Sequence, residues 1–166
     1  MQICWRLILG LALGLNIGAF VAAQVIFDAR ADLGFSSADA GTMAGAILHR
    51  VNLATAIALL ALIALDSAMR RSLLQPATAF WVMIALVVML LLTLAEVIAI
   101  TPSIAGMRER IARDYGAMDA APQDLRARFG MLHGVSMLRG VVVIAIGVAA
   151  FVMDGVAGRA RQASAS

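Results

Sequence analysis

Four long apolar stretches, nearly free of charge, leave this chain of 166 residues one solvent in which it can fold. Residues 7–27 carry no charged side chain, and neither do residues 51–65. Extended back to 43, the second stretch becomes a span, with His49 and Arg50 near its start. Residues 77–100 are interrupted only by Glu96, and residues 131–153 contain His133 and Arg139. A hydrocarbon layer about 30 Å thick takes roughly 20 residues of helix to cross. Backbone polar groups cannot be left unpaired in lipid, so each stretch reads as a helix. The predicted fold is all-α, an integral membrane four-helix bundle forming a single domain over residues 1–166, with a disordered tail at 155–166. Composition agrees, because 63% hydrophobic against 14% charged residues is more apolar surface than a soluble fold of this size can hide. The lipid bilayer is therefore the first partner.

The first stretch has a rival reading. Arg6, the apolar run and the small residues Val21, Ala22 and Ala23 resemble a cleavable signal peptide. The run continues past them to Phe27, which suits a span better. All 13 basic residues are arginines, the net charge is only +3, and they are scattered, which argues against a nucleic-acid partner. Cys4 is alone, so no internal disulfide is possible.

The connections differ in character. Ser36 and Ser37 precede the second span as helix caps. Thr101-Pro102 reads as the start of a short amphipathic helix, with Ile104, Met107, Ile111 and Tyr115 at helical spacing, lying across the membrane surface or over the bundle mouth. Ala121-Pro122-Gln123-Asp124 reads as another helix start, leading into the fourth span. Four spans put both termini on one side, with Arg6, Arg70, Arg71, Arg159 and Arg161. A count of basic residues does not settle orientation. The tight Arg70-Arg71 pair in a short loop favours cytoplasmic termini, in an inner (plasma) membrane.

Gly10, Gly14 and Gly18 recur every four residues on the first helix, and Gly130 and Gly134 repeat the spacing on the fourth. Small residues so spaced let helices approach closely. Packing within the bundle is the favoured reading, and a homodimer seam is the other.

Charged groups inside a span are costly and usually face the bundle interior. Because alternate helices run in opposite directions, Glu96, His49, Arg50 and His133 all fall on the side away from the termini, with Gln24 at the end of the first span. Asn16, Asn52, Ser136 and Arg139 extend the set inward. His133 and Ser136 share a helix face, as do Met89, Thr93 and Glu96. If those faces meet, Glu96 can accept from His133 or pair with Arg50 or Arg139, which lowers the cost of burying either charge. Such a cluster is either a pocket that binds or passes a small solute or metal ion, or a structural knot that fixes helix register. No cofactor is predicted outright. Two histidines at similar depth allow a haem held by His49 and His133. Met43, Met107, Met131 and Met137 near the same mouth allow copper. No phosphate loop, nucleophile elbow or His-Glu-x-x-His pair occurs, so no catalytic residue is assigned and a non-enzymatic role is expected. A structural or assembly partner of a larger membrane complex is the remaining class.

Leu132-His133-Gly134-Val135-Ser136 and Ile100-Thr101-Pro102-Ser103-Ile104, with Ala23–Phe27 and Ala44–Leu48, are similar to strings of the transmembrane protein 205-like family. That is a group of four-span membrane proteins catalogued as a domain of unknown function. The resemblance covers about residues 7–153 and implies the same four-helix fold. It also implies two departures: Gln24 stands where the family usually has Pro, and Gly140 where it has Asn.

Overall fold

A computed structural model describes residues 2–70 and 76–165, with side chains placed for 3–68 and 78–156. Pro76 and the arginines that bear on orientation, Arg70, Arg71, Arg159 and Arg161, lie outside the described side chains. The described residues form α1 (Gln2–Ala29), α2 (Ser37–Leu65), α3 (Pro76–Ala95), α4 (Thr101–Tyr115) and α5 (Gln123–Ala165). Two π-helical turns, Asp66–Arg70 and Glu96–Ile100, follow α2 and α3. Among the described residues four stretches are long and apolar enough to cross a membrane: Ile3–Ala29, Ser37–Ala68, Thr78–Tyr115 and Gln123–Val156. The chain is an all-α, multi-pass membrane protein.

Neighbours in sequence are neighbours in space. α1 packs on α2, α2 on α3, α3 on α5, and α5 closes the ring against α1. The shared core runs from Trp5, Leu9 and Leu13 on α1 through Leu59 and Leu62 on α2, Val82, Leu86 and Met89 on α3, to Val143 and Ala150 on α5. On α1 these residues, with Asn16, recur at helical spacing and so define its inner face. In lipid that packing is held by dispersion and hydrogen bonds rather than by water exclusion.

The glycine stripe does not pack as its spacing predicts. A Cβ built on Gly10, Gly14, Gly18, Gly130 or Gly134 would meet nothing within 4 Å. Gly10 follows Leu9 by one residue, about 100° around the helix, which turns the stripe away from the core. Close approach happens elsewhere: a Cβ on Gly140 would overlap the ring of Phe20, and one on Gly147 would stand 2.5 Å from Leu13 Cδ2.

The start of α2 is capped as predicted. The Ser36 hydroxyl accepts from the Asp39 amide at 3.1 Å, and the Asp39 carboxylate accepts from the Ser36 amide at 3.1 Å. The predicted break at Thr101 is absent. Thr101 has helical φ and ψ (−58°, −47°), and α4 continues α3 through the π turn. The Thr101 amide donates to the Glu96 carbonyl five residues back. This wider turn takes up the strain that the Pro102 ring otherwise puts on the preceding turn. Helix therefore runs from Pro76 to Tyr115, about 60 Å at 1.5 Å per residue. Gly116, with φ +74°, ends it. Ile111 then packs with Ala121 and Leu125, flanked by Met107 and Tyr115, which pins α4 against the start of α5.

At the termini end the Arg6 Nε donates to Asp154 Oδ2 at 2.7 Å, and Arg6 Nη2 to the Asp154 carbonyl at 3.2 Å. Asp154 is fully buried, as is Asp66 at the head of the other π turn. Beyond Asp154 the backbone of α5 stays helical to Ala165, where composition predicts a disordered tail. Four alanines and two arginines in this segment are strong helix formers.

Candidate functional site

At the end away from the termini, α1, α2, α4 and α5 enclose a cavity of about 490 Å³. Its walls are mainly apolar: Phe20 and Phe27 from α1, Leu48 from α2, Ile104 from α4 and Met137 from α5. Asn52, Glu96, Ser136 and Arg139 form a polar group in its lining.

Glu96 is the centre of that group and is 3% exposed. Its Oε1 accepts from the Ser136 hydroxyl at 2.6 Å and from the Thr101 hydroxyl at 3.1 Å. The π turn makes the second contact possible, because it closes the backbone over the five residues from Glu96 to Thr101. Glu96 Oε2 faces Arg139 Nε at 3.4 Å, an ion pair with both side chains under 10% exposed. Arg139 Nη2 donates to Asn52 Oδ1 at 3.1 Å. The predicted meeting of the third and fourth spans therefore occurs, with Ser136 rather than His133 reaching the carboxylate.

Several buried polar atoms here have no hydrogen bond: Arg139 Nε and Nη1, Glu96 Oε2 and His49 Nδ1. The Nε–Oε2 contact is close enough for ion pairing but is not aligned as a hydrogen bond. Arg139 Nη1 and His49 Nδ1 belong to side chains that line the cavity. Buried donors and acceptors left like this cost free energy.

The other predicted residues divide. His49 is half-buried and His133 exposed, and both line the cavity. His133 stacks parallel to Phe129, with centroids 6.3 Å apart. Arg50 is exposed and outside the lining, so it does not pair with Glu96. It follows His49 by one residue, about 100° further around α2. Gln24 lines the cavity and donates to Asp28 Oδ1 at 2.9 Å. Of the four methionines considered for copper, only Met137 lines it. Among the described residues no three His, Cys, Asp or Glu side chains stand together as a metal site.

Arg108 is a site residue that sequence reasoning missed. Its Nη1 donates to the Gly41 carbonyl at 2.7 Å, and its guanidinium forms part of the cavity wall. The signal was present in Thr101, Ile104, Ala105 and Arg108, which share one face at i, i+3, i+4 and i+7. It becomes visible only once α4 is read as a continuation of α3.

Below the cavity the bundle is closed. Asn16 Nδ2 donates to Thr55 Oγ1 at 2.7 Å, and the Thr93 hydroxyl donates to the Met89 carbonyl at 2.8 Å. The apolar core then fills the space as far as Trp5.

The family model of a domain of unknown function, DUF4149, matches residues 7–113, more than half of the chain. That stretch contains His49, Asn52, Glu96 and Arg108 and stops short of His133, Ser136 and Arg139 on α5. No curated protein and no solved structure matches the chain.

Proposed function

This chain belongs to the DUF4149 family, and from that premise we propose that it is a non-enzymatic membrane protein that holds a small solute in the cavity at the loop end of its bundle. The observation that carries this reading is the cavity itself, where Arg108, Arg139, Glu96 and Asn52 gather in an otherwise apolar lining and no described carboxylate pairs with Arg108. A volume of about 490 Å³, apolar walls and a few convergent polar groups are what small-molecule sites have in common. Holding is favoured over passage, because the apolar core lies between this cavity and the termini. A solute is favoured over a bare metal ion, since the acid in the lining is already engaged by two hydroxyls and a guanidinium.

Within its family we place the chain beside the transmembrane protein 205-like proteins, on the strings around Thr101-Pro102 and His133-Gly134. We assign it to the inner (plasma) membrane with cytoplasmic termini, which opens the cavity to the outer face. A second reading is haem binding, favoured by the fact that His49 and His133 line the same cavity. A Soret band lost in His49→Ala or His133→Ala would select it.

The test is native mass spectrometry of protein extracted from membranes in mild detergent. The wild type is expected to carry a small-molecule adduct. Ala105→Trp, which places an indole against the cavity from α4, is expected to lose it while remaining monodisperse. A bare wild-type mass, or an adduct that persists in Ala105→Trp, rejects the reading.

A further inference from the structure

The charges around the cavity do not balance, and this bears on what it holds. Its lining contains two guanidinium groups, Arg108 and Arg139, against one carboxylate, Glu96. The carboxylate is already engaged: two hydroxyls donate to one oxygen, and Arg139 Nε faces the other as an ion pair. Arg139 spends Nε on that pair and Nη2 on Asn52, which leaves Nη1 buried without a partner.

Arg108 is seated differently. Its guanidinium lies over Gly41 and Gly45, where a Cβ would stand 3.3 Å and 3.5 Å from it. Two glycines one turn apart thus clear a flat place on α2 for the planar group. Its hydrogen bond goes to a neutral carbonyl, that of Gly41, and among the described residues no carboxylate pairs with it. A guanidinium has five donors and does not give up its charge, so most of Arg108's capacity faces outward from that seat. A half-buried positive charge of this kind is stabilised by an anion, and a planar fork suits a carboxylate or phosphate.

We infer that the solute is a single-tailed amphiphile with an anionic oxyacid head, a carboxylate or a phosphate, taken by Arg108 in a cavity whose wall also carries Arg139. Its tail lies against Phe20, Phe27, Leu48, Ile104 and Met137. This rests on the reading of the cavity as a binding site and names the class of ligand. The apolar walls distinguish a tailed acid from a free inorganic anion, which would gain nothing from them. A cationic amphiphile meets two guanidinium groups and an acid already neutralised.

The experiment is saturable binding of radiolabelled dodecanoate to the full-length protein in phosphatidylcholine nanodiscs, measured over protein-free discs. Dodecyl phosphate, dodecanol, dodecylammonium and inorganic phosphate serve as competitors. Dodecanoate should bind saturably and dodecyl phosphate should displace it, with dodecanol and dodecylammonium about tenfold weaker or worse, as loss of one charge-assisted hydrogen bond requires. Arg108→Gln, which keeps a donor for the Gly41 carbonyl, should weaken dodecanoate about tenfold and leave dodecanol unchanged. Equal binding of dodecanol or dodecylammonium overturns the anionic head while leaving the binding site standing. Displacement by inorganic phosphate at matching concentration overturns the tail. Absence of saturable dodecanoate binding overturns the inference as a whole, and the co-purified adduct decides the binding site separately.

Discussion

Replacing Glu96 by Leu is expected to destabilise the bundle by about 3–5 kcal/mol, the cost of leaving one partner of a buried ion pair alone. The variant strands the Arg139 guanidinium, which keeps only Asn52 and cannot shed its proton to escape. The Ser136 and Thr101 hydroxyls lose their shared acceptor at the same time. Adding Arg139→Met should recover most of the loss, because a well-packed apolar pair in place of a buried ion pair is often neutral or better. Reversible unfolding in mixed micelles, run as a double-mutant cycle over Glu96 and Arg139, measures both effects. Additive losses would mean the two side chains are not coupled, and the site would have to be redrawn.

Gly147→Leu should cost about 3 kcal/mol, the upper end of what overpacking a filled core costs. A single Cβ there would already stand 2.5 Å from Leu13 Cδ2 and 3.0 Å from Met89 Cε, so a whole leucine forces α1, α3 and α5 apart. Gly147→Ala is a different case. The two nearest atoms it meets, Leu13 Cδ2 and Met89 Cε, are ends of flexible side chains, and the gain of about 0.8–1.0 kcal/mol from replacing Gly in a helix offsets the overlap. Gly14→Leu is the control: nothing lies within 4 Å of its Cβ, and the bundle should be no less stable. The same unfolding measurement ranks the three. A Gly14→Leu loss as large as that of Gly147→Leu would return the glycine stripe to the bundle interior.

The four spans were legible because length and absence of charge alone demand them in lipid. The gathering of Glu96, Asn52, Ser136 and Arg139 at one end was legible too, since antiparallel helices turn sequence position into depth. Facing was harder to read. Gly10, Gly14 and Gly18 have the spacing of a contact stripe, yet the core took the neighbouring face, where Leu9 and Leu13 supply more packing surface. The pairing of Arg6 with Asp154 joins residues 148 apart, beyond any local pattern. Thr101-Pro102 has the chemistry of a helix start. What overrode it was a π turn, which gives the proline ring room and swings the threonine hydroxyl onto Glu96. With that turn misread, Arg108 had no route to the site.

The cavity is open at the loop end and closed beneath. Single cysteines on a Cys4→Ala background test it directly in sealed membrane vesicles of known sidedness, with a membrane-impermeant thiol reagent. Ala23→Cys, in the cavity wall, should be modified rapidly from the face opposite the termini, and Thr55→Cys, beneath the polar floor, should not react from either face. Modification of Thr55→Cys would mean that the bundle is not closed beneath the cavity, and protection of Ala23→Cys from both faces that the cavity does not open at the loop end.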